Sequence, residues 1–269
     1  MVKKLYKYEF LALLRTLLPV YVALFGVALL SRFLQIFENK SVAYAIVFGS
    51  SCFAYGVTVA ACVLLTLILC VVRIYRSLFS GEGYLTFTLP VSVNQHILTK
   101  VSTAVAMNII TFIAVLFSVF IITFGEVFKE ILNAAAYLTK KFFELGAANT
   151  IFYTLEIIVL ILVGLASQYL LYLACMSIGQ LSQKNRVGIS VAVYFGYYMI
   201  TQILYTIFVV VSVSLSTVID FGKLFDFIAA HKALSVHFAL LGSIVLEVIL
   251  GVVFYIISSN IMRKKLNLE

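Results

Sequence analysis

Apolar positions along this chain neither alternate nor recur on one helical face alone; they fill long, uninterrupted runs. Uncharged stretches at 41–72, 101–125, 157–183 and 187–219 each exceed the roughly 20 residues that carry a helix across hydrocarbon. A further run, 16–31, lies between Arg15 and Arg32, whose long side chains can snorkel to the headgroups and extend the span to about Phe37. The last run, 238–262, is interrupted only by Glu247. Continuous runs without period-two alternation point to helices and away from a β-barrel, the other structure that satisfies its backbone in lipid. The pattern predicts an all-α, polytopic membrane bundle of six transmembrane helices, at about 16–37, 42–72, 101–123, 151–181, 188–215 and 238–262, forming one domain over 1–269. The second and fourth exceed the hydrocarbon thickness, so they project from the bilayer or tilt.

Composition agrees: 64% of the 269 residues are apolar and 11% charged, which excludes a soluble domain with an ordinary surface. Charge then sets the orientation. With six spans, one side collects Lys3, Lys4, Lys7, Arg15, Arg73, Arg76, Lys100, Lys184, Arg186, Arg263, Lys264 and Lys265, twelve of the 19 basic residues. The remaining seven face the other side among Glu38, Glu126, Glu130, Glu144, Asp220 and Asp226. The positive-inside rule places both termini in the cytoplasm. The net charge of +8 is therefore a topology signal with some affinity for anionic lipid. Basic residues spread over four segments make a poor nucleic-acid surface. No cleavable signal closes the N-terminal basic stretch.

The segments between spans carry their own patterns. Lys4, Lys7, Leu11 and Arg15 recur at helical spacing, predicting either a basic amphipathic helix on the inner leaflet or a frayed positive tail. Ser80–Gly83 and Leu89–Ser92 are predicted breaks, with Ser92 and Gln95 forming a capping box that starts the third span. Between them, Tyr84–Leu89 is apolar on the water side, and is either an interfacial helix or a docking element for another protein. On the opposite side, residues 124–150 place Phe124, Val127, Phe128, Ile131, Leu132, Leu138, Phe142 and Leu145 near helical spacing. They predict an external amphipathic helix on the outer leaflet or over the bundle. Residues 216–237 suit a re-entrant or interfacial hairpin.

Catalytic and nucleotide signatures are missing: no phosphate loop, H-E-x-x-H or G-x-S-x-G. His96 falls on one side and His231 and His237 on the other, and Cys52, Cys62, Cys70 and Cys175 sit inside spans as small apolar fillers without metal-type spacing. The expectation is a chain that is not an enzyme, with no catalytic residue, metal or cofactor of its own. Among intramembrane polar groups, Glu247 falls near the middle of the last span, as a structural hydrogen-bonding partner or as a substrate-facing or gating group. Glu156 reaches the outer interface. Gln168, Gln202 and Asn108 line a cavity or bond neighbouring helices.

The opening Leu5–Phe10 (LYKYEF) with Arg15, the six spans, and Tyr75–Ser92 (YRSLFSGEGYLTFTLPVS) together resemble the permease subunits of ABC transporters of the type-two exporter class. The resemblance implies that 1–15 is an elbow helix, that 73–100 is a coupling loop docking on a separate ATPase, and that the hairpin before the last span is partly re-entrant. It implies that Tyr84–Leu89 docks, and that Arg76, Glu82, Tyr84 and Phe87 contact or orient the ATPase. Segment 124–150 departs from the family pattern. ATP would be bound by the partner ATPase subunits, and a second permease copy or paralogue would complete the pathway. The setting implied is the bacterial cytoplasmic membrane, and the cargo an amphipathic peptide, drug or lipid-like molecule. Rival readings are a non-transporting sensor or scaffold, a channel or secondary transporter coupled through Glu247, and, least favoured, an intramembrane enzyme.

Overall fold

The computed structural model describes residues 2–37, 42–88, 90–143, 147–182, 185–218, 222 and 231–264. All of its regular structure there is helical. In chain order the helices are α1 (Val2–Ile36), α2 (Val42–Phe79), α3 (Gly81–Phe87), α4 (Val93–Thr123), α5 (Glu126–Phe143), α6 (Ala147–Gly179), α7 (Arg186–Val218) and α8 (Lys232–Lys264). Six of these, α1, α2, α4, α6, α7 and α8, are long and apolar enough to cross a membrane, so the chain is a multi-pass membrane protein.

The helices form two compact units, Met1–Leu78 with Glu82–Lys141, and Phe79–Gly81 with Phe142–Glu269. In the first, α1 presents one stripe, Glu9, Leu13, Leu17, Tyr21, Leu24, Ala28 and Ser31, all buried. Steps of three and four residues keep these side chains on one face. α4 answers with Ile97, Val101, Ala104 and Met107, and α2 contributes Cys62, Cys70, Ile74 and Leu78. Lipid tails are as apolar as leucine, so hydrogen bonds help hold such helices together. Ser51 Oγ donates to Ser31 Oγ at 2.7 Å, Tyr55 and Ser118 pair at 2.8 Å, and Thr111 joins Tyr21 at 2.7 Å and Thr66 at 3.0 Å. These bonds link α1, α2 and α4 at several depths.

In the second unit, α6 packs against both α7 and α8. Its core is Leu171, Ala174 and Cys175 of α6 with Phe254 of α8. At Gly251 of α8 a Cβ would stand 3.7 Å from Ser167 and Leu170 of α6, an ordinary contact that small side chains make possible.

Several boundaries differ from expectation. α1 runs unbroken from Val2 through Pro19 to Ile36, so residues 2–15 continue directly into the first span as one long helix. The break expected at Ser80–Gly83 is present at Ser80, between the end of α2 at Phe79 and the start of α3, but it is one residue long, and both glycines lie inside α3, which ends at Phe87. A helix of about two turns tolerates glycine where Glu82 in the first turn favours the N-terminal dipole. The capping box is present: Ser92 Oγ accepts from Gln95 N at 3.4 Å, and Gln95 Oε1 accepts from Ser92 N at 3.1 Å. Half of the residues of the hairpin expected at 216–237, namely 219–221 and 223–230, lie outside the described residues.

Candidate functional site

Four charged side chains converge in the first unit, at the end of the helices that carries the N-terminus. Glu9 is on the buried stripe of α1, Arg73 near the end of α2, Glu82 in the first turn of α3 and Lys100 two turns into α4. Both oxygens of the Glu9 carboxylate are used: Oε1 pairs with Lys100 Nζ, and Oε2 pairs with Arg73 Nε at 3.4 Å. Arg73 Nη1 also reaches Glu82 Oε2 at 3.4 Å. Exposure falls inward along this chain of charges, from 57% for the Glu82 side chain through 32% for Arg73 and 10% for Glu9 to 1% for Lys100. His96, one turn before Lys100, is fully buried.

The gradient separates two kinds of interaction. The Arg73–Glu82 pair faces water and contributes about 0–1 kcal/mol. An ammonium as buried as that of Lys100 persists only with a counter-charge, and removing the partner of such a pair costs about 3–5 kcal/mol. Glu9 is therefore the fixed centre, and Arg73 is shared between it and the exposed acid of α3. The four charges sum to zero, so the cluster ties α3 to the ends of α1, α2 and α4 without leaving a net charge beside the hydrocarbon.

The predicted coupling residues divide. Glu82 is part of this cluster. Arg76 is exposed in the last turn of α2 and Tyr84 is 66% exposed, and neither joins the network among the described residues. Phe87 ends α3, and its side chain lies outside the described residues. Arg73, Glu9 and Lys100 were not singled out from sequence. Their common signal was a single acid, Glu9, within a basic helix that leads directly into a span.

Of the intramembrane candidates, Asn108 lies in α4 of the first unit, where its Nδ2 donates to the Ala104 carbonyl at 2.9 Å, and Gln168, Gln202 and Glu247 lie in the second. Gln168 of α6 hydrogen-bonds Tyr194 of α7, whose ring is 5.5 Å from that of Tyr172. Glu247 of α8 is half-buried, near enough to Tyr197 of α7 to interact electrostatically. Gln202 is exposed on α7. The three do not meet at one point. A different acid does find a strong partner: Glu156 of α6 holds His237 Nδ1 of α8 at 2.8 and 2.9 Å, and the imidazole stacks on Tyr153 at 4.2 Å. Tyr153 in turn donates to the Ala233 carbonyl at 2.8 Å. These contacts pin α8 to α6 near the start of both helices.

No group of three or more His, Cys, Asp or Glu side chains suited to a metal occurs among the described residues. No family model, no curated protein and no solved structure matches the chain.

Proposed function

We propose that the chain is the membrane-spanning subunit of an ATP-driven exporter, of the type-two ABC permease class, which works with a separate ATPase. The observation that carries this reading is the position of α3. It is a short helix whose Glu82 and Tyr84 are exposed, and Glu82 reaches through Arg73 to Glu9 and Lys100. An ATPase docked on α3 would thus push on a charge cluster shared by α1, α2 and α4. Closure of the ATPase dimer is the kind of rigid-body displacement that switches such a bundle from inward to outward facing.

In this reading both termini and α3 are cytoplasmic in a bacterial cytoplasmic membrane. A second copy or a paralogue completes the pathway, and the cargo is an amphipathic peptide, drug or lipid-like molecule. Arg76, Tyr84 and Phe87 would face the ATPase. Glu247, Gln168 and Gln202 would supply polar groups to the spans around the pathway.

The test is purification of the tagged protein in mild detergent, with the wild type compared against Glu82→Ala plus Tyr84→Ala. Both positions are exposed, so the variant is expected to fold. Mass spectrometry should recover a phosphate-loop ATPase with the wild type and lose it, by tenfold or more, with the variant. Stable wild-type protein that brings down no ATPase would overturn the proposal and leave a stand-alone membrane sensor or scaffold.

A further inference from the structure

The helix between the third and fourth spans, α5, has an apolar face that its own unit leaves open. On an ideal helix at 3.6 residues per turn, Phe128, Leu132 and Ala135 fall within an arc of about 60°, while Glu130, Asn133, Tyr137 and Lys140 occupy an arc of about 80° opposite. Leu132 is 50% exposed and Ala135 is exposed, although both lie on the apolar arc. A soluble protein would cover such a face with its own core.

Three observations locate this helix. First, α4 ends at Thr123 and α5 begins at Glu126, so only Phe124 and Gly125 separate α5 from a membrane span. Second, α5 folds back. The Gly125 φ of +124° lies where side chains are strained, and the Phe128 ring meets Phe120, inside α4, edge-on at 4.9 Å. A helix continuing outward would carry Phe128 away from Phe120 by about 1.5 Å for each residue between them. The apolar arc therefore starts directed back towards the spans. Third, the depth is marked. The Arg32 guanidinium of α1 would lie 3.6 Å from a Cβ at Gly125, and it donates to Gln35 at 2.6 Å. A guanidinium at the end of a span resides at headgroup level.

We propose that α5 is a membrane-surface helix that binds phospholipid at the headgroup–acyl boundary, in the leaflet reached by the C-terminal end of α4. Phe128, Leu132 and Ala135 enter the acyl region. Lys129, beside the apolar arc, reaches outward to phosphate, while Glu130, Asn133 and Lys140 remain in water. The helix fixes the depth of the turn at Gly125, and with it the ends of α1 and α4. This inference stands independently of the transport reading.

The experiment uses the full chain in vesicles of phosphatidylcholine with phosphatidylglycerol. The exposed Cys52 is replaced by alanine, Cys62, Cys70 and Cys175 being buried, and spin labels are placed singly at Leu132, Ala135, Asn133 and Lys140. Labels at Leu132 and Ala135 should collide several-fold more with oxygen than with a water-soluble nickel chelate, and labels at Asn133 and Lys140 the reverse. Equal nickel access on both faces would overturn the proposal. So would protection of Leu132 and Ala135 from both reagents, because protein would then cover the face. Radical footprinting of unmodified protein in the same vesicles reads the face without substitutions. Leu132 and Tyr137, 50% and 59% exposed in the chain, should differ several-fold in oxidation once each is normalised to unfolded protein, Leu132 being protected. Equal oxidation would count against lipid burial.

Discussion

Glu9 holds together the charged end of the first unit, because its carboxylate is in direct contact with the buried ammonium of Lys100. Glu9→Gln keeps the shape and leaves the ammonium without its counter-charge, so it should destabilise the protein by about 3–5 kcal/mol. Replacing both partners by apolar residues, Glu9→Leu with Lys100→Met, removes the buried charges together and should recover most of that loss. Thermal unfolding in detergent, followed by size-exclusion chromatography, ranks the variants. A double variant no more stable than Glu9→Gln would refute the pairing as the source of the effect. This pair was not legible in the sequence. Glu9 falls in a helix noticed for its basic stripe, and Lys100 entered the sequence reading only as one of the basic residues that set the orientation. Glu156 was legible as an acid near an interface, but not as the partner of His237, because sequence spacing says nothing about which distant helix lies alongside.

At the scale of elements, the closest backbone approach among the described glycines is at the end of α6. A Cβ on Gly179 would overlap the Ser190 hydroxyl and lie 2.7 Å from the Arg186 carbonyl oxygen and 2.9 Å from the Ser190 nitrogen. Two of these atoms are backbone and cannot rotate away, so Gly179→Ala should force α6 and α7 apart at a cost of about 1–3 kcal/mol. Gly196→Ala in α7 is the control: nothing lies within 4 Å of its Cβ position, and alanine should be neutral or favourable there by about 0.5–1 kcal/mol. Matched melting curves in detergent decide it, and equal melting temperatures for the two variants would remove the close approach from the account. Helix existence was well written in the sequence, since uncharged length alone identifies a span, and the capping box at Ser92 located the start of α4. The break at Ser80 was legible too, but not its extent, because Gly81 and Gly83 read as breakers and sit in a helix too short for their propensity to decide.

At the scale of the whole molecule, the six helices long and apolar enough to cross a membrane among the described residues are an even number, which predicts both termini on one side of the bilayer. Tags at the N- and C-terminus, probed by protease in intact and permeabilised vesicles, should show the same accessibility. Opposite accessibility would mean that an odd number of helices crosses. The charge asymmetry predicts that the shared side is the cytoplasm, whereas the division into two units was not legible, because hydropathy counts spans without saying which ones pack together. The polar contacts of the first unit also have a consequence for how the chain is made. Tyr21 and Thr111 are 90 residues apart, and Glu9 and Lys100 span a similar interval. At a synthesis rate of about 5–20 residues per second, α1 waits roughly 5–20 seconds before α4 emerges. Throughout that interval the phenol of Tyr21 lacks Thr111 and the acid of Glu9 lacks Lys100, with Arg73 of α2 the first of its partners to be made, so the newborn segment relies on the insertion machinery or the bilayer surface to shelter them.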